Sequence, residues 1–179
     1  MEVKHMKKAL LVVLLAFVPM VSYGAGYIIG DFGTGGKVDG PSYGIELGGI
    51  FLSPLHPRGG AFSAGIGVSI ADTDDDPTSN ETLLPTTSRK NLNDGNETEI
   101  HATFGAEIVP ALFGIAGIGY SSQDITETGV AGGQRFKIGS KTDNNVTGLF
   151  GIRYVRQWMN LGVGYHTRRG IMASIGLAF

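Results

Sequence analysis

Glu99, His101, Thr103 and Glu107 place two carboxylates, an imidazole and a hydroxyl at alternate positions of one short segment. An imidazole that takes a proton from a hydroxyl, with a carboxylate orienting the ring, is the arrangement used in nucleophilic hydrolysis. The same residue types also build buried ion-pair networks. Two further charges stand in equally apolar surroundings, Glu46 in "SYGIELGGIF" and Arg153 in "LFGIRYV". A buried carboxylate needs a partner, and Arg153 is placed to meet Glu46 or Glu107. The reading favoured is structural: Glu46, Glu99, His101, Glu107 and Arg153 form a polar network that locks the fold, with no catalytic, cofactor-binding or metal-ligating set. A proton path or small-ligand site is the alternative.

The elements that carry these residues alternate with period two, the signature of half-buried strands. In 42–52, Tyr43, Ile45, Leu47 and Phe51 take one face, and Ser42, Gly44, Glu46 and Gly48 the other. In 61–70, Phe62, Ala64, Ile66, Val68 and Ile70 oppose Ser63, Gly65, Gly67 and Ser69. In 99–108, Ile100, Phe104 and Ile108 oppose Glu99, His101, Thr103 and Glu107. Segments 146–154, 159–165 and 171–179 continue the pattern. Segments 26–33 and 112–122 read as strands whose faces are not decided, because both phases carry apolar residues. That makes eight strands, and the charged set takes the non-greasy phase throughout.

Composition narrows the class. The chain has 179 residues, 42% hydrophobic and 17% charged, with a net charge of −2 that gives no hold for nucleic acid. It contains no cysteine and 29 glycines, the latter far above the usual share of about 7% and without a collagen period. Lys4, Lys7 and Lys8 precede an apolar run that ends at "SYG" before the Gly24/Ala25 bond. This is the pattern of a secretory signal peptide over 1–24, leaving 25–179 as one domain. Beyond it, no apolar stretch approaches the roughly 20 residues of a spanning helix. The other backbone arrangement that can cross a bilayer is a closed barrel. Its connections should alternate long and short, and they do apart from the brief last outer one: 34–41, 73–97, 123–143 and 166–170 on the outer side, against 54–60, 109–111 and 155–157 on the inner. Segment 135–138 reads as a strand extension within one outer loop. Tyr27, Phe51, Phe62, Tyr154, Trp158 and Phe179 would then mark the inner rim, and Phe32, Tyr43, Tyr120 and Tyr165 the outer. Eight strands leave a narrow interior, so the lumen should be plugged. The expected fold is all-β, an eight-stranded antiparallel transmembrane β-barrel with up-and-down meander topology. A soluble barrel would turn the greasy face inward and the glycines to water.

A leader, eight alternating strands, the closing hairpin "GVGYHTRRGIMASIGLAF" and Phe179 as last residue resemble the small outer-membrane β-barrel superfamily, with its opacity-protein, OmpX-like and OmpA transmembrane-domain groups. The resemblance spans 25–179. It implies a monomer in the bacterial outer membrane, with lipid and lipopolysaccharide around it. It also implies recognition of Ile171, Ala173, Ile175, Leu177 and Phe179 by the barrel-assembly machinery, Phe179 being the assembly signal. Arg168 and Arg169 would lie at the outer rim, able to grip lipopolysaccharide phosphates bidentately. Members of the superfamily differ in activity. The expected role is non-enzymatic: membrane structure, or contact with an unidentified surface partner. A narrow solute channel and a lipid A-modifying enzyme are the alternatives. The enzyme is disfavoured because the hydroxyl is Thr103, no His-x-Ser occurs and the trio faces the lumen. The acidic run Asp72 to Asp76 reads as a solvated loop able at most to hold a cation weakly, since it lacks the glycine and distal glutamate of a calcium loop.

Overall fold

The computed structural model describes residues 24–38, 40–52, 60–71, 88–92, 95–131 and 134–179. Positions 1–23 and the acidic run at 72–76 lie outside them. The strands are β1 (Gly24–Thr34), β2 (Ser42–Leu52), β3 (Ala61–Ala71), β4 (Ser88–Leu92), β5 (Glu97–Val109), β6 (Leu112–Ala131), β7 (Gln134–Arg156), β8 (Met159–His166) and β9 (Gly170–Ala178). All but β4 pair antiparallel with their chain neighbours, and β1 pairs with β9, from Tyr27↔Ala178 to Thr34↔Ile171. Eight strands therefore close into a barrel, and closure leaves no sheet edge within its wall.

The expected alternation decides which side faces out. Ile45, Leu47, Val68, Ile100, Phe104 and Ile175 are exposed on the outside. Ser42, Glu46, Ser69, Thr103, Thr147 and Asn160 are buried inside. A greasy exterior over a polar interior is the polarity of a transmembrane barrel and the inverse of a soluble one. Odd-numbered residues point inward in both undecided segments: Tyr27, Ile29 and Asp31 in β1, Phe113 and Ile115 in β6. Tyr27 is thus not part of a rim girdle; its ring lies in the lumen, 1% exposed. Register explains this, because Ile28 and Phe32 hold the outward phase and leave Tyr27 the phase of Asp31. Outward aromatics do pair across strands. Phe32 meets Tyr43 edge-on at 5.6 Å, Phe51 stacks on Phe62 at 5.1 Å and Phe150 meets Tyr165 at 5.5 Å, contacts worth about 0.5–1.5 kcal/mol each beyond area burial.

The tight inner turns put Ala111 (φ 70°) and Gln157 (φ 55°) in the left-handed region. At the last outer turn Gly170 (φ 71°) reverses the chain, as its type suggested. Outer connection 123–143 is not a loop: β6 runs to Ala131 and β7 starts at Gln134, paired up to Ala131↔Gln134 with one irregularity between Glu127 and Thr128. Its β-branched residues, Ile125, Thr126 and Thr128, favour extended chain. Its buried residues Gln123, Thr126 and Thr128 are polar, so the stretch shows no greasy alternation, and its polarity made it look like loop. β4 adds to β6 from Ser88↔Val130 to Leu92↔Thr126, giving a three-stranded ribbon.

Closure itself is crowded. A Cβ at Gly176 would run into the Ile28 carbonyl oxygen and lie 2.7 Å from Ile29 Cα, both backbone atoms of the partner strand. At Gly30, on the same seam but facing out, the nearest atom would be a carbonyl oxygen at 3.8 Å. Gly176→Val should therefore destabilise the barrel by about 1–3 kcal/mol, with Gly30→Val far milder. Urea midpoints of the heat-modifiable folded form in detergent check this, and equal effects would contradict it.

Candidate functional site

The lumen charges fall into two layers joined by His101. In the lower layer Glu46 on β2 is the hub. Its Oε1 accepts from Tyr27 Oη at 2.7 Å, Thr103 Oγ1 at 2.8 Å and Arg153 Nη1 at 3.1 Å. Its Oε2 accepts from Arg153 Nη2 at 3.1 Å, which completes a bidentate pair between strands 107 positions apart in sequence. The Arg153 guanidinium also lies over the Tyr27 ring, 5.1 Å from its centroid. Glycine makes this possible, since a Cβ at Gly48 would strike the Tyr27 ring and one at Gly65 would strike Tyr27 Oη.

The upper layer is built by the last hairpin. His166 Nδ1 accepts the backbone N–H groups of Arg168 (3.3 Å) and Arg169 (3.1 Å). Those groups can only donate, so the ring proton of a neutral His166 sits on Nε2, which donates to Glu99 Oε1 at 3.1 Å. Arg169 Nη2 reaches the same oxygen at 3.3 Å. Arg168 donates through Nε to Glu97 Oε2 at 2.7 Å and through Nη2 to Gln123 Oε1 at 2.6 Å. The first outer connection holds the turn from outside: Lys37 and Val38 N–H groups both donate to the Arg168 carbonyl, at 2.7 and 3.2 Å.

Arg168 and Arg169 are therefore not rim cations presented to lipopolysaccharide. They are 9% and 3% exposed and bound inside the barrel mouth, because two unpaired carboxylates there, Glu97 and Glu99, offer more than water does. Glu107 is the second correction. Beside an irregularity of β5 it accepts backbone N–H groups of Ala61 (3.0 Å) and Ala111 (2.9 Å) and so fastens an inner turn, apart from the lumen network. The structure brings Glu46, Glu99, His101 and Arg153 together, with His101 Nε2 4.0 Å from Glu46 Oε2 and its Nδ1 3.4 Å from Glu99 Oε1. Tyr27, Asp31, Glu97, Gln123 and His166 join them and were not expected. The signal for His166 was its phase with Gly162 and Gly164; that for Asp31 was the undecided strand.

The bottom of the lumen is apolar, with Tyr27, Ile29 and Ala178 packed together and Ile50 and Val155 against them. Above it a cavity of about 30 Å³ is bordered by Asp31, Glu46, Arg153, Ile115, Met172 and Ser174, the room of about one water. Thr103 gives its hydroxyl proton to Glu46 and not to His101, so the trio is not assembled as a nucleophile and base.

Removing one partner of a buried pair strands the other, at about 3–5 kcal/mol, whereas removing both is often near neutral. Arg153→Met should show that loss in denaturant unfolding of the detergent-folded barrel, and Glu46→Gln with Arg153→Met should recover most of it. A double variant no better than Arg153→Met would mean the pair is not coupled.

No family model matches the sequence, and no curated protein matches it. Among solved structures the chain is similar to Ail, the attachment invasion locus protein of Yersinia pestis. In one crystal structure the identity is 11% and the TM-score 0.42, over 87% of this chain and 96% of Ail. In a second, of Ail in complex with the heparin analogue sucrose octasulfate, identity is 14% and TM-score 0.39 over the same shares.

Proposed function

We propose that this chain is an outer-membrane protein of a Gram-negative bacterium, with no catalytic activity, whose sealed barrel anchors a β-ribbon that makes contacts outside the cell. The observation that carries the reading is the ribbon's edges. Among the described residues β4 pairs only with β6, and the outer part of β7, from Gln134 to Asn145, pairs only with β6. Among the described residues both rows of outward backbone groups lack a strand partner, which suits strand addition, a mode of peptide recognition that needs few specific side chains. Charge along this hairpin is balanced, Asp124, Glu127 and Asp143 against Arg135, Lys137 and Lys141, so nothing in it repels a strand of either sign.

The filled lumen supports an anchor over a solute channel. The engagement of Thr103 and His101 with lumen carboxylates supports a non-enzymatic role over lipid A modification. The apolar belt supports residence among outer-membrane lipid and lipopolysaccharide as a monomer. β9, with Ile171, Ala173, Ile175 and Leu177 outward, supports recognition by the barrel-assembly machinery, with Phe179 as its terminal signal.

Replacing residues 125–141 with an Asn-Gly turn should leave the heat-modifiable barrel intact. It should also reduce adhesion of displaying cells to an epithelial monolayer to the level of cells lacking the protein. Unchanged adhesion would overturn the ribbon reading. Deleting Phe179 removes both backbone hydrogen bonds that tie it to Gly26 (2.7 and 2.8 Å), and the folded outer-membrane fraction should fall severalfold. An undiminished yield would remove Phe179 as the assembly signal.

A further inference from the structure

Asp31, Glu46 and His101 come from β1, β2 and β5, and one oxygen or nitrogen from each lies within 4.8 Å of the others. We propose that these three side chains form a binding site for a divalent transition-type cation of borderline softness, zinc being the representative, inside the lumen.

Bond accounting leads there. Glu46 Oε1 is saturated by three donors, but Oε2 receives only Arg153 Nη2 and keeps a lone pair. That oxygen is 4.0 Å from His101 Nε2, too far for a direct hydrogen bond. Two ligands of one tetrahedral zinc stand about 3.3 Å apart, so a small approach of the ring and the carboxylate brings both onto one ion. Asp31 is 8% exposed, and no hydrogen bond or ion pair reaches its carboxylate among the described residues. It borders the cavity of about 30 Å³ together with Glu46. Two carboxylates thus border a pocket with room for about one water, and the guanidinium that also borders it, Arg153, is committed to Glu46. A buried carboxylate without a counter-charge is strongly disfavoured.

The imidazole is oriented for ligation. Across the register Glu46↔Gly67↔His101, the middle residue is the one that must yield space. A Cβ at Gly67 would collide with His101 Nε2, so glycine there lets the ring lie across β3 toward Glu46. On the opposite side of the ring, Nδ1 faces Glu99 Oε1 at 3.4 Å. A metal-bound histidine keeps its proton on that side, toward a carboxylate.

Donor chemistry sets the class of ion. Two carboxylates and one imidazole, with a fourth position open to the cavity, match the three-ligand sites of zinc. Calcium takes six to eight oxygens and magnesium an octahedron of them, and neither set is present. Above the site the pairs of Arg168 and Arg169 close the mouth, and below it Tyr27, Ile29 and Ala178 close the floor. The ion is therefore acquired as the barrel folds.

The test refolds the urea-unfolded full chain in detergent with zinc chloride or with a chelator, and removes loose metal by gel filtration. Metal content and the zinc absorption spectrum are then read. Wild type should hold stoichiometric zinc with a nitrogen/oxygen shell containing one imidazole, and should unfold at higher temperature than the chelated form. Asp31→Asn and His101→Gln should lose the metal, while His166→Gln keeps it. Folded wild type without stoichiometric zinc would overturn the proposal, as would metal retained by both variants. A shell with two imidazoles would also overturn it, by placing the ion between His101 and His166; that result needs no variant to fold.

Discussion

Room is what the structure depends on. Eight strands enclose a lumen so narrow that its inward side chains are mostly small, packed into an apolar floor or bonded to one another. Glu46, Arg153 and Tyr27 occupy one level, and glycines stand at 48 and 65 because a single extra carbon there would meet Tyr27, and at 67 because it would meet His101. The high glycine content and the lumen charges are one fact seen twice: the wall is thinned where the contents are thick. In a medium that cannot hydrate them, the charges are tolerated because each guanidinium has a carboxylate within 3.3 Å.

How much of this could be read beforehand varies by strand. β2, β3 and β5 alternate cleanly, so their greasy and polar faces were legible residue by residue, and the inward placement of Glu46, Glu99, His101 and Arg153 followed. β1 and β6 put apolar residues inside as well as out, Tyr27 and Ile29 in one and Phe113 and Ile115 in the other. Their faces depend on neighbours and not on their own pattern. Arg168 and Arg169 read as outer-rim cations facing lipopolysaccharide because their partners, Glu97 and Glu99, lie some 70 positions away. Likewise Asp31, Glu46 and His101 have no ligand spacing in one dimension, since three strands bring them together. Alternation reports the face a residue takes; pairing register reports its company, and a single sequence carries only the first.

The ribbon failed to announce itself for a different reason. A strand in the barrel wall has one face against the apolar medium and one against the lumen, and its sequence records the difference. In β6 beyond the wall the buried positions, Thr126 and Thr128, are as polar as the exposed ones, so its hydrogen bonding leaves little trace in residue type beyond β-branched content. The polar stretch that marks a loop and the polar stretch that marks a paired hairpin are written in the same letters.

The mouth of the barrel is closed by a short outer connection, the turn at 167–169, with a brace from the first. Among the described residues the bonds that hold this turn include those from Lys37, Val38, Glu97, Glu99 and Gln123, and none comes from the far end of the β6–β7 hairpin. That far end can lengthen, shorten or change sequence from one lineage to the next while the pore beneath it stays shut. Permeability and surface identity are in this way inherited on separate stretches of the chain, which leaves the exposed part free to diverge under pressure from whatever it meets.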